Sequence, residues 1–483
     1  MERVIFEISR PGRKGYSLPK LDIPESEIET VIPSDLLRKD EALLPEVSEL
    51  DCVRHFTRLS QLNYCVDTNF YPLGSCTMKY NPRINEKVAS LPQFTGLHPY
   101  QPETSVQGIL EIMYETEQAL CRICGMDAFT LQPAAGAHGE LTGMLIVRAY
   151  HTAGGDPRKK VVVPDSSHGT NPASATLCGY EVVTIKSGPN DRVDIEALKA
   201  AMDKDAAVFM LTNPNTLGLF EKDIKEIAEI VHKSGALLYL DGANLNALAG
   251  IARPGDMGFD ICHVNLHKTF STPHGGGGPG SGPVGVKGHL SDYLPLPRVK
   301  QKRTKFTLDY DSKKSIGRVR AFYGNIGVVI RAYCYIRSLG AEGLRDAAAG
   351  AVLNANYLKA KLKGVYEAAV GEPCMHEFVL TGRDKRQYGV KTIDIAKRLL
   401  DYGFYAPTIY FPLIVEEAIM VEPTETESKE TLDAFAEAMI KIAEEMRSDP
   451  SLLTSAPHTT PVRRLDDVLA AREPNLRWKR PGA

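Results

Sequence analysis

Short apolar segments alternate with helical patterns through the middle of the chain, and this alternation restricts the fold more than any other feature. The segments begin near residues 161, 182, 207, 236 and 261. The clearest helical pattern spans residues 221–234, with Ile224, Ile227, Ala228 and Val231 on one face. Such alternation predicts an α/β fold with a mostly parallel sheet flanked by helices. Ligands of such sheets collect at the carboxyl ends of the strands, so we expect the functional residues there.

A lysine follows the last of these segments. Residues 261–264 predict a buried strand, and Lys268 lies between this strand and a glycine-rich stretch at residues 275–282. Glycine lets a backbone approach a ligand closely, and a lysine held at a strand end suits Schiff-base chemistry on an aldehyde cofactor. Most lysines beside such loops are solvated surface groups. Lys268 therefore indicates pyridoxal 5'-phosphate (PLP) only if the rest of the chain agrees.

An aspartate ends the preceding segment. Asp241 follows the apolar run at residues 236–240, and a carboxylate at the end of a core strand is costly unless a cation faces it. In a PLP enzyme that cation is the protonated pyridine nitrogen, which makes the ring an electron sink. Ala243 is small enough for the ring to lie flat against it. The alternative, an acidic helix cap after a strand, is common, but the pairing of Asp241 with Lys268 favours the cofactor.

The phosphate of such a cofactor needs backbone N–H donors. Ala135, Gly136 and Ala137 precede a helical pattern at residues 141–150. Small residues at a helix start leave N–H groups open to an anion, and the helix dipole favours negative charge there. Small residues also permit close packing of a helix on a sheet. The order of this turn relative to Asp241 and Lys268 makes it a candidate phosphate site.

Two polar residues follow other predicted strands. His168 comes after the segment at residues 161–163 and is placed to stack on the ring, opposite Ala243. Asn213 follows the segment at residues 207–211 and is a candidate donor to the phenolic oxygen of the cofactor. A lone histidine here is more often a hydrogen-bonded loop residue, and asparagines often only build turns. Both assignments depend on their neighbours.

An ordered series of motifs gives the chain a specific resemblance. The motifs are residues 71–82 (YPLGSCTMKYNP), 98–102 (HPYQP), 131–140 (LQPAAGAHGE), 167–172 (SHGTNP), 241–246 (DGANLN), 265–285 and 421–428 (VEPTETES). On these stretches the chain resembles the P-proteins of the glycine cleavage system, and in particular the PLP-carrying chain of their two-subunit form.

The resemblance implies a fold-type-I PLP-dependent transferase fold, like that of aspartate aminotransferase, with a smaller α+β C-terminal domain. We expect an N-terminal arm at residues 1–60, a large PLP-binding domain at residues 61–335 and a small domain at residues 336–483. A length of 483 residues exceeds what one core usually supports. The arm is rich in proline and charge, so we expect it to wrap a partner subunit.

The implied reaction is the decarboxylation of glycine with transfer of the aminomethyl group to the lipoyl arm of H-protein, releasing CO₂. Lys268, His168 and Asp241 are the implied catalytic residues, with PLP bound to Lys268 as a covalent Schiff base. The other implied cofactor contacts are Ala243, Ala135, Gly136, Ala137 and Asn213. The expected assembly is a heterotetramer with two copies of a homologous subunit that lacks PLP.

Two positions stay open at this stage. Arg318 is a candidate ligand for the carboxylate of glycine, and it is equally an ion-pair residue. Residues 424–427 fit a capping box at the start of a C-terminal helix that runs to about Met446.

Composition excludes several other classes of protein. A net charge of -3 with mixed signs gives no reason to expect nucleic-acid binding. No segment is apolar and long enough to span a membrane, and the N-terminal residues lack a signal-like apolar core, so we expect a cytoplasmic protein. Cysteine spacing predicts no metal site. Two alternatives remain: another fold-type-I enzyme, such as an aminotransferase or an aldol-type lyase, and a non-catalytic assembly subunit.

Overall fold

The computed structural model of the protein describes residues 2–40, 42–275 and 280–479. Contacts divide the chain into two compact units, Val66–Ser455 and a smaller unit formed by Met1–Cys65 with Ala456–Ala483. The helices are α1 (Ile5–Ile8), α2 (Glu49–Gln61), α3 (Arg83–Ala89), α4 (Pro92–Thr95), α5 (Gln107–Cys124), α6 (Gly136–Ala153), α7 (Thr170–Leu177), α8 (Ile195–Ala201), α9 (Ile224–Lys233), α10 (Pro254–Met257), α11 (Ile326–Lys361), α12 (Thr392–Asp401), α13 (Lys429–Ser448), α14 (Ser451–Thr454) and α15 (Asp467–Arg472). The strands are β1 (Ala128–Thr130), β2 (Lys160–Pro164), β3 (Glu181–Ile185), β4 (Ala206–Thr212), β5 (Leu237–Gly242), β6 (Ile261–Val264), β7 (Val284–Val286), β8 (Arg298–Lys302), β9 (Lys305–Asp309), β10 (Glu367–Ala368), β11 (Phe378–Thr381), β12 (Thr408–Ile409) and β13 (Ala418–Val421).

A seven-stranded sheet in the order β1-β7-β6-β5-β4-β2-β3 forms the centre of the larger unit. Strands β3, β2, β4, β5 and β6 pair in parallel, and β7 pairs antiparallel with both β6 and β1. The five predicted apolar segments are β2 to β6, so the predicted mostly parallel sheet is confirmed. In the register, Asp241 on β5 lies between Thr212 on β4 and His263 on β6. The ends of three adjacent strands therefore meet at Asp241.

Helices cover both faces of this sheet. Alternate residues of one strand point to opposite layers: Phe209 and Leu211 pack with α5 and α9, whereas Val208 and Met210 pack with α6. Burial on both faces explains why β4 and β5 read as continuous apolar runs and not as an alternating pattern. The predicted helix at residues 221–234 is α9, which buries Ile224, Ile227, Ala228 and Val231.

The C-terminal part of the larger unit has its own sheet and core. Four antiparallel strands in the order β10-β11-β13-β12 pack with α12 and α13 around a separate apolar cluster. This arrangement agrees with the expected α+β architecture. Helix α11 precedes it and breaks at Gly340, where φ is +62°. Residues 66–455 nevertheless form one compact unit by contacts, and the boundary predicted at residue 335 stays a prediction.

The predicted capping box at residues 424–427 is wrong in its position. The cap of α13 is Ser428, whose hydroxyl accepts a hydrogen bond from the backbone N–H of Thr431. Thr424 has a φ of +63°, a left-handed conformation that cannot begin a helix. The segment before α13 is therefore a strained turn, and its glutamates do not belong to the first turn of the helix.

The smaller unit combines both chain ends. It contains the short helices α1, α2 and α15, and Phe6 stacks on Trp478 with ring centroids 4.8 Å apart. Many of its apolar side chains are exposed, among them Tyr16 and Leu18. None of the helices described combines the length and the apolar character that crossing a membrane requires.

One glycine near the end of the glycine-rich stretch tests the packing of the sheet edge. A Cβ atom at Gly282 would lie 2.1 Å from the backbone oxygen of Ala135, in the turn before α6. Gly282→Ala should therefore lower the free energy of unfolding by about 1–3 kcal/mol, because a backbone atom has to move. Chemical unfolding followed by circular dichroism measures the change. Gly108→Ala, in α5 with nothing within 4 Å, is the matched control and should be neutral or stabilising; equal stabilities of the two variants would contradict the packing.

Candidate active site

A cavity of about 340 Å³ opens at the carboxyl edge of the parallel strands. It is lined by residues that follow β2, β4, β5 and β6, by the first turn of α6 and by two further segments of the same unit. The lining residues are Ser75, Cys76, Gly136, Ala137, Glu140, His168, Thr170, Thr212, Pro214, Thr216, Asp241, Ala243, Asn244, Asn265, His267, Lys268, His274, His376 and Glu377. Most of the predicted site residues are thus brought together.

Lys268 stands in a turn directly after β6. Its backbone N–H donates to the oxygen of Asn265 at 3.1 Å, which fixes the turn. Its Nζ donates to the backbone oxygen of Ser75 at 2.6 Å. Ser75 has a φ of +62°, unusual for a residue with a side chain, and this conformation turns its carbonyl group towards the lysine. Residues 276–279 of the glycine-rich stretch that follows lie outside the described residues. The close approach of this stretch to a ligand therefore stays a prediction.

Asp241 is a buried carboxylate that the surrounding residues keep ionised. Its Oδ2 accepts a hydrogen bond from Asn171 at 3.0 Å, and its Oδ1 accepts one from the backbone N–H of Ala243 at 3.1 Å. His263 Nε2 lies 3.3 Å from the same Oδ1. Burial alone would raise the pKa of Asp241, but His263 and the two hydrogen bonds outweigh it and hold the pKa below its ordinary value. The site therefore holds one stable negative charge at the end of β5.

Glu140 in α6 is a second carboxyl group beside Asp241; it ends the motif at residues 131–140, but the motif alone assigned it no role. Burial, together with the charge of Asp241, raises the pKa of Glu140 to about 8. Asn171 bridges the two groups, because its Nδ2 also donates to Glu140 Oε2 at 2.9 Å. Thr170 donates to the other oxygen at 2.7 Å. At neutral pH the pair thus consists of an ionised aspartate and a neutral glutamic acid.

The first turn of α6 is the predicted phosphate site. Ala135 precedes the helix in an extended conformation, and the helix begins at Gly136. A Cβ atom at Gly136 would lie 2.6 Å from Asn265 Nδ2, so only glycine leaves this approach open. Asn265 Oδ1 and Thr212 Oγ1 are buried without a hydrogen-bond partner in the described part of the chain. Unsatisfied polar atoms beside a helix N-terminus fit a phosphate-bearing ligand.

The remaining predicted residues lie at different distances from the cavity. His168 and Ala243 both line it, and His168 Nδ1 is 2.8 Å from the hydroxyl of Thr170. Asn213 is not among the lining residues: its Oδ1 accepts a hydrogen bond from the backbone N–H of Glu221 at 3.0 Å, and its Nδ2 is buried without a partner among the residues described. The role of Asn213 as a cofactor ligand stays a prediction. Its neighbours Thr212 and Pro214 are the lining residues on this side.

Arg318 takes no part in the lining. Its guanidinium group lies 5.1 Å from the centre of the Tyr100 ring, in a cation–π contact. The wall near Ser75 is instead formed by His376 and Glu377, just before β11, and by Cys76. Burial raises the pKa of the Cys76 thiol. Sequence reasoning missed His376 and Glu377, because neither belongs to a recognisable motif.

Two protein-family models match the chain. One describes the C-terminal domain of glycine dehydrogenase and matches residues 347–458. The other describes class-V aminotransferases and matches residues 140–277, which include Asp241 and Lys268.

Solved structures share the fold. A glycine decarboxylase (P-protein) of the glycine cleavage system in inhibitor-bound form covers 86% of this chain and 94% of its own, with a TM-score of 0.72 and 23% identity. A sphingosine-1-phosphate lyase from Burkholderia pseudomallei covers 88% of this chain and 96% of its own, with a TM-score of 0.59 and 14% identity. At these identities the two structures establish the fold alone.

Relatives of much higher identity span nearly the whole chain. A probable glycine dehydrogenase (decarboxylating) subunit 2 from Caldanaerobacter subterraneus is 64% identical over 98% of both chains. The protein of the same description from Bacillus velezensis is 59% identical over 99% of this chain and 98% of its own. The chain therefore belongs to the family of glycine dehydrogenase (decarboxylating) subunit 2.

Proposed function

We propose that the chain is the PLP-dependent catalytic subunit of a glycine dehydrogenase (decarboxylating). It removes the carboxylate of glycine as CO₂ and transfers the aminomethyl group to the lipoyl arm of H-protein, within the glycine cleavage system. The observation that carries this proposal is the placement of Lys268 and the ionised Asp241 in one cavity, beside the N-terminus of α6. Family membership supports the same reaction.

The described residues fit PLP. Lys268 would hold it as a Schiff base, and Asp241 would face the pyridine nitrogen. The N–H groups of Gly136 and Ala137 at the start of α6 would bind the phosphate, together with the predicted contact from Ala135. His168 and Ala243 would lie against the two faces of the ring, and Asn213 is the predicted partner of the phenolic oxygen. When bound, the cofactor supplies an electron-poor ring that stabilises negative charge on the carbon losing the carboxylate.

The protein's own residues control where protons lie around this ring. Asp241 keeps its charge and would so hold a proton on the pyridine nitrogen of the bound cofactor. Glu140 stays neutral at pH 7 because burial raises its pKa to about 8, and it adds no second charge. Lys268, once free, carries a proton between reacting groups within the cavity. His168 would orient the ring by stacking, and its contact with Thr170 fixes the imidazole.

The chain acts with other proteins. The family is that of a second subunit, which implies a partner subunit, and we propose a heterotetramer of two chains of each kind in which only this chain carries PLP. The lipoylated H-protein is the proposed acceptor.

Isotope exchange tests the proposed reaction. The chain, its partner subunit and lipoylated carrier should together exchange labelled bicarbonate into glycine, because decarboxylation is reversible on an intact site. Omitting the carrier or the partner should reduce the exchange strongly. Carrier-independent transamination of amino acids would instead identify an aminotransferase, and a chain without any cofactor absorbance would identify an assembly subunit.

Lys268→Ala tests the covalent link. The exchange rate should fall roughly 10²- to 10⁴-fold, because the variant loses both the attachment point and a proton carrier. Borohydride reduction followed by peptide mass spectrometry should place the cofactor on Lys268 in the wild-type protein and find no modified lysine in the variant. Lys302→Ala, on the exposed part of β8, is the control and should keep full labelling. Cofactor attached to another lysine of the wild type would contradict the assignment.

The two neighbouring carboxyl groups should respond differently to neutral replacement. Asp241→Asn removes the charge that faces the pyridine nitrogen, so we expect exchange to fall roughly 10²-fold or more. Glu140→Gln replaces a group that is already neutral at pH 7, so exchange should change by less than about 10-fold, as for the loss of one ordinary hydrogen bond. Initial rates and the pH dependence of the cofactor absorbance measure both effects. Equal losses in the two variants would show that Glu140 is also ionised.

A further inference from the structure

One wall of the cavity contains a buried histidine whose ring is unsatisfied. His376 is 2% exposed and lines the cavity. Neither Nδ1 nor Nε2 has a hydrogen-bond partner among the described residues. An imidazole that is buried without partners carries a full desolvation cost, so such a group is retained where a ligand completes its hydrogen bonds.

Glu377 stands beside this histidine with one oxygen already engaged. Its Oε2 accepts a hydrogen bond from the backbone N–H of Ser75 at 2.8 Å. Its Oε1 lies 3.9 Å from His376 Nε2, too far for a hydrogen bond. The two polar groups therefore line the cavity side by side without satisfying each other.

Both side chains are uncharged at neutral pH. Burial lowers the pKa of His376 to about 3. Burial and the nearby Glu422 raise the pKa of Glu377 to about 8. A neutral imidazole offers one N–H donor, and a protonated carboxyl group offers one O–H donor. The wall thus presents two neutral donors.

The rest of the described lining contains no arginine, the residue that usually binds a carboxylate in a bidentate manner. Lys268 is the one lysine of that lining, and the proposed function commits it to the cofactor. Neutral donors are therefore the groups left to bind an anionic part of the substrate.

We propose that His376 and Glu377 bind the carboxylate of the amino acid substrate through the N–H and O–H donors of two uncharged side chains. The inference rests on the proposed function and assigns to this chain the carboxylate ligand that sequence reasoning placed on Arg318. The use of neutral donors has a chemical consequence, because the substrate carboxylate is the group that leaves. The carboxylate leaves as neutral CO₂, so a strong ion pair would stabilise the ground state more than the transition state, whereas neutral donors hold the group with less of that penalty.

Ligand titration of the holoenzyme tests the assignment. The chain is assembled with its partner subunit and PLP, without carrier protein, and the visible absorbance of the cofactor is followed. Glycine is compared with methylamine, which has the same amine and no carboxylate. His376→Phe and Glu377→Leu should weaken glycine binding roughly 10- to 100-fold, as expected for a lost hydrogen bond to a charged group, and leave methylamine binding unchanged.

Conservative variants serve as matched controls. His376→Gln and Glu377→Gln keep an N–H donor at each position, so both should retain glycine binding within about 5-fold of wild type, a difference of less than one hydrogen bond.

Three results would overturn the inference. Glycine and methylamine affinities that fall together would show a structural role. A Glu377→Gln variant as weak as Glu377→Leu would show that a charged carboxylate is needed. A stoichiometric divalent cation, whose removal by a chelator abolishes glycine binding, would make the cluster of His376, Glu377 and Glu422 a metal site. The proposed function fails separately, if the wild-type enzyme responds to methylamine and not to glycine.

Discussion

The buried charge of Asp241 is the constraint on which the rest of the site depends. A carboxylate in the interior loses its hydration, and it stays ionised only where donors replace that water. Here the two donors come from separate elements, Asn171 from α7 and the backbone of Ala243 next to β5, and His263 from β6 adds a charge contact at 3.3 Å. Parallel pairing brings the ends of these strands together. The order of strands in the sheet is therefore what allows Asp241 to stay ionised, and the proposed chemistry depends on that charge.

The orientation of the His263 ring shows how packing inside the core determines the geometry of the site. Its Nδ1 lies 2.9 Å from the hydroxyl of Tyr239, and burial keeps the pKa of that phenol well above its ordinary value. Tyr239 thus holds the imidazole on its Nδ1 side, and Nε2 faces Asp241 at 3.3 Å. A Cβ atom at Gly143 would lie 2.4 Å from the Tyr239 ring. A glycine in the middle of α6 thus leaves room for the tyrosine that orients the histidine.

Sequence patterns predicted the sheet and the residues whose position along the chain is diagnostic. Lys268 and Asp241 follow apolar runs, so strand ends alone place them at one edge. Asn171 and His263 carry no such signal, because their role depends on which strands and helices become neighbours. Glu422 lies in a recognised motif, but the left-handed φ of Thr424 moves the helix start to Ser428. Glu422 itself directly follows β13 and is buried, where it accepts hydrogen bonds from Thr77 and Asn244, and no periodicity reveals such contacts.

The carboxyl groups of the cavity divide the site electrostatically. Asp241 is ionised, whereas burial raises the pKa of Glu140 and Glu377 to about 8 and that of the adjoining Glu422 to about 7. Like charges that are close together in a low-dielectric region cannot all be ionised, so the charge settles on Asp241, where His263 and two hydrogen bonds oppose the effect of burial. In the proposed function this carboxylate faces the pyridine nitrogen of the cofactor. The wall formed by His376 and Glu377 stays neutral because burial disfavours charge there, and in the proposed function a neutral wall suits a substrate carboxylate that leaves as uncharged CO₂.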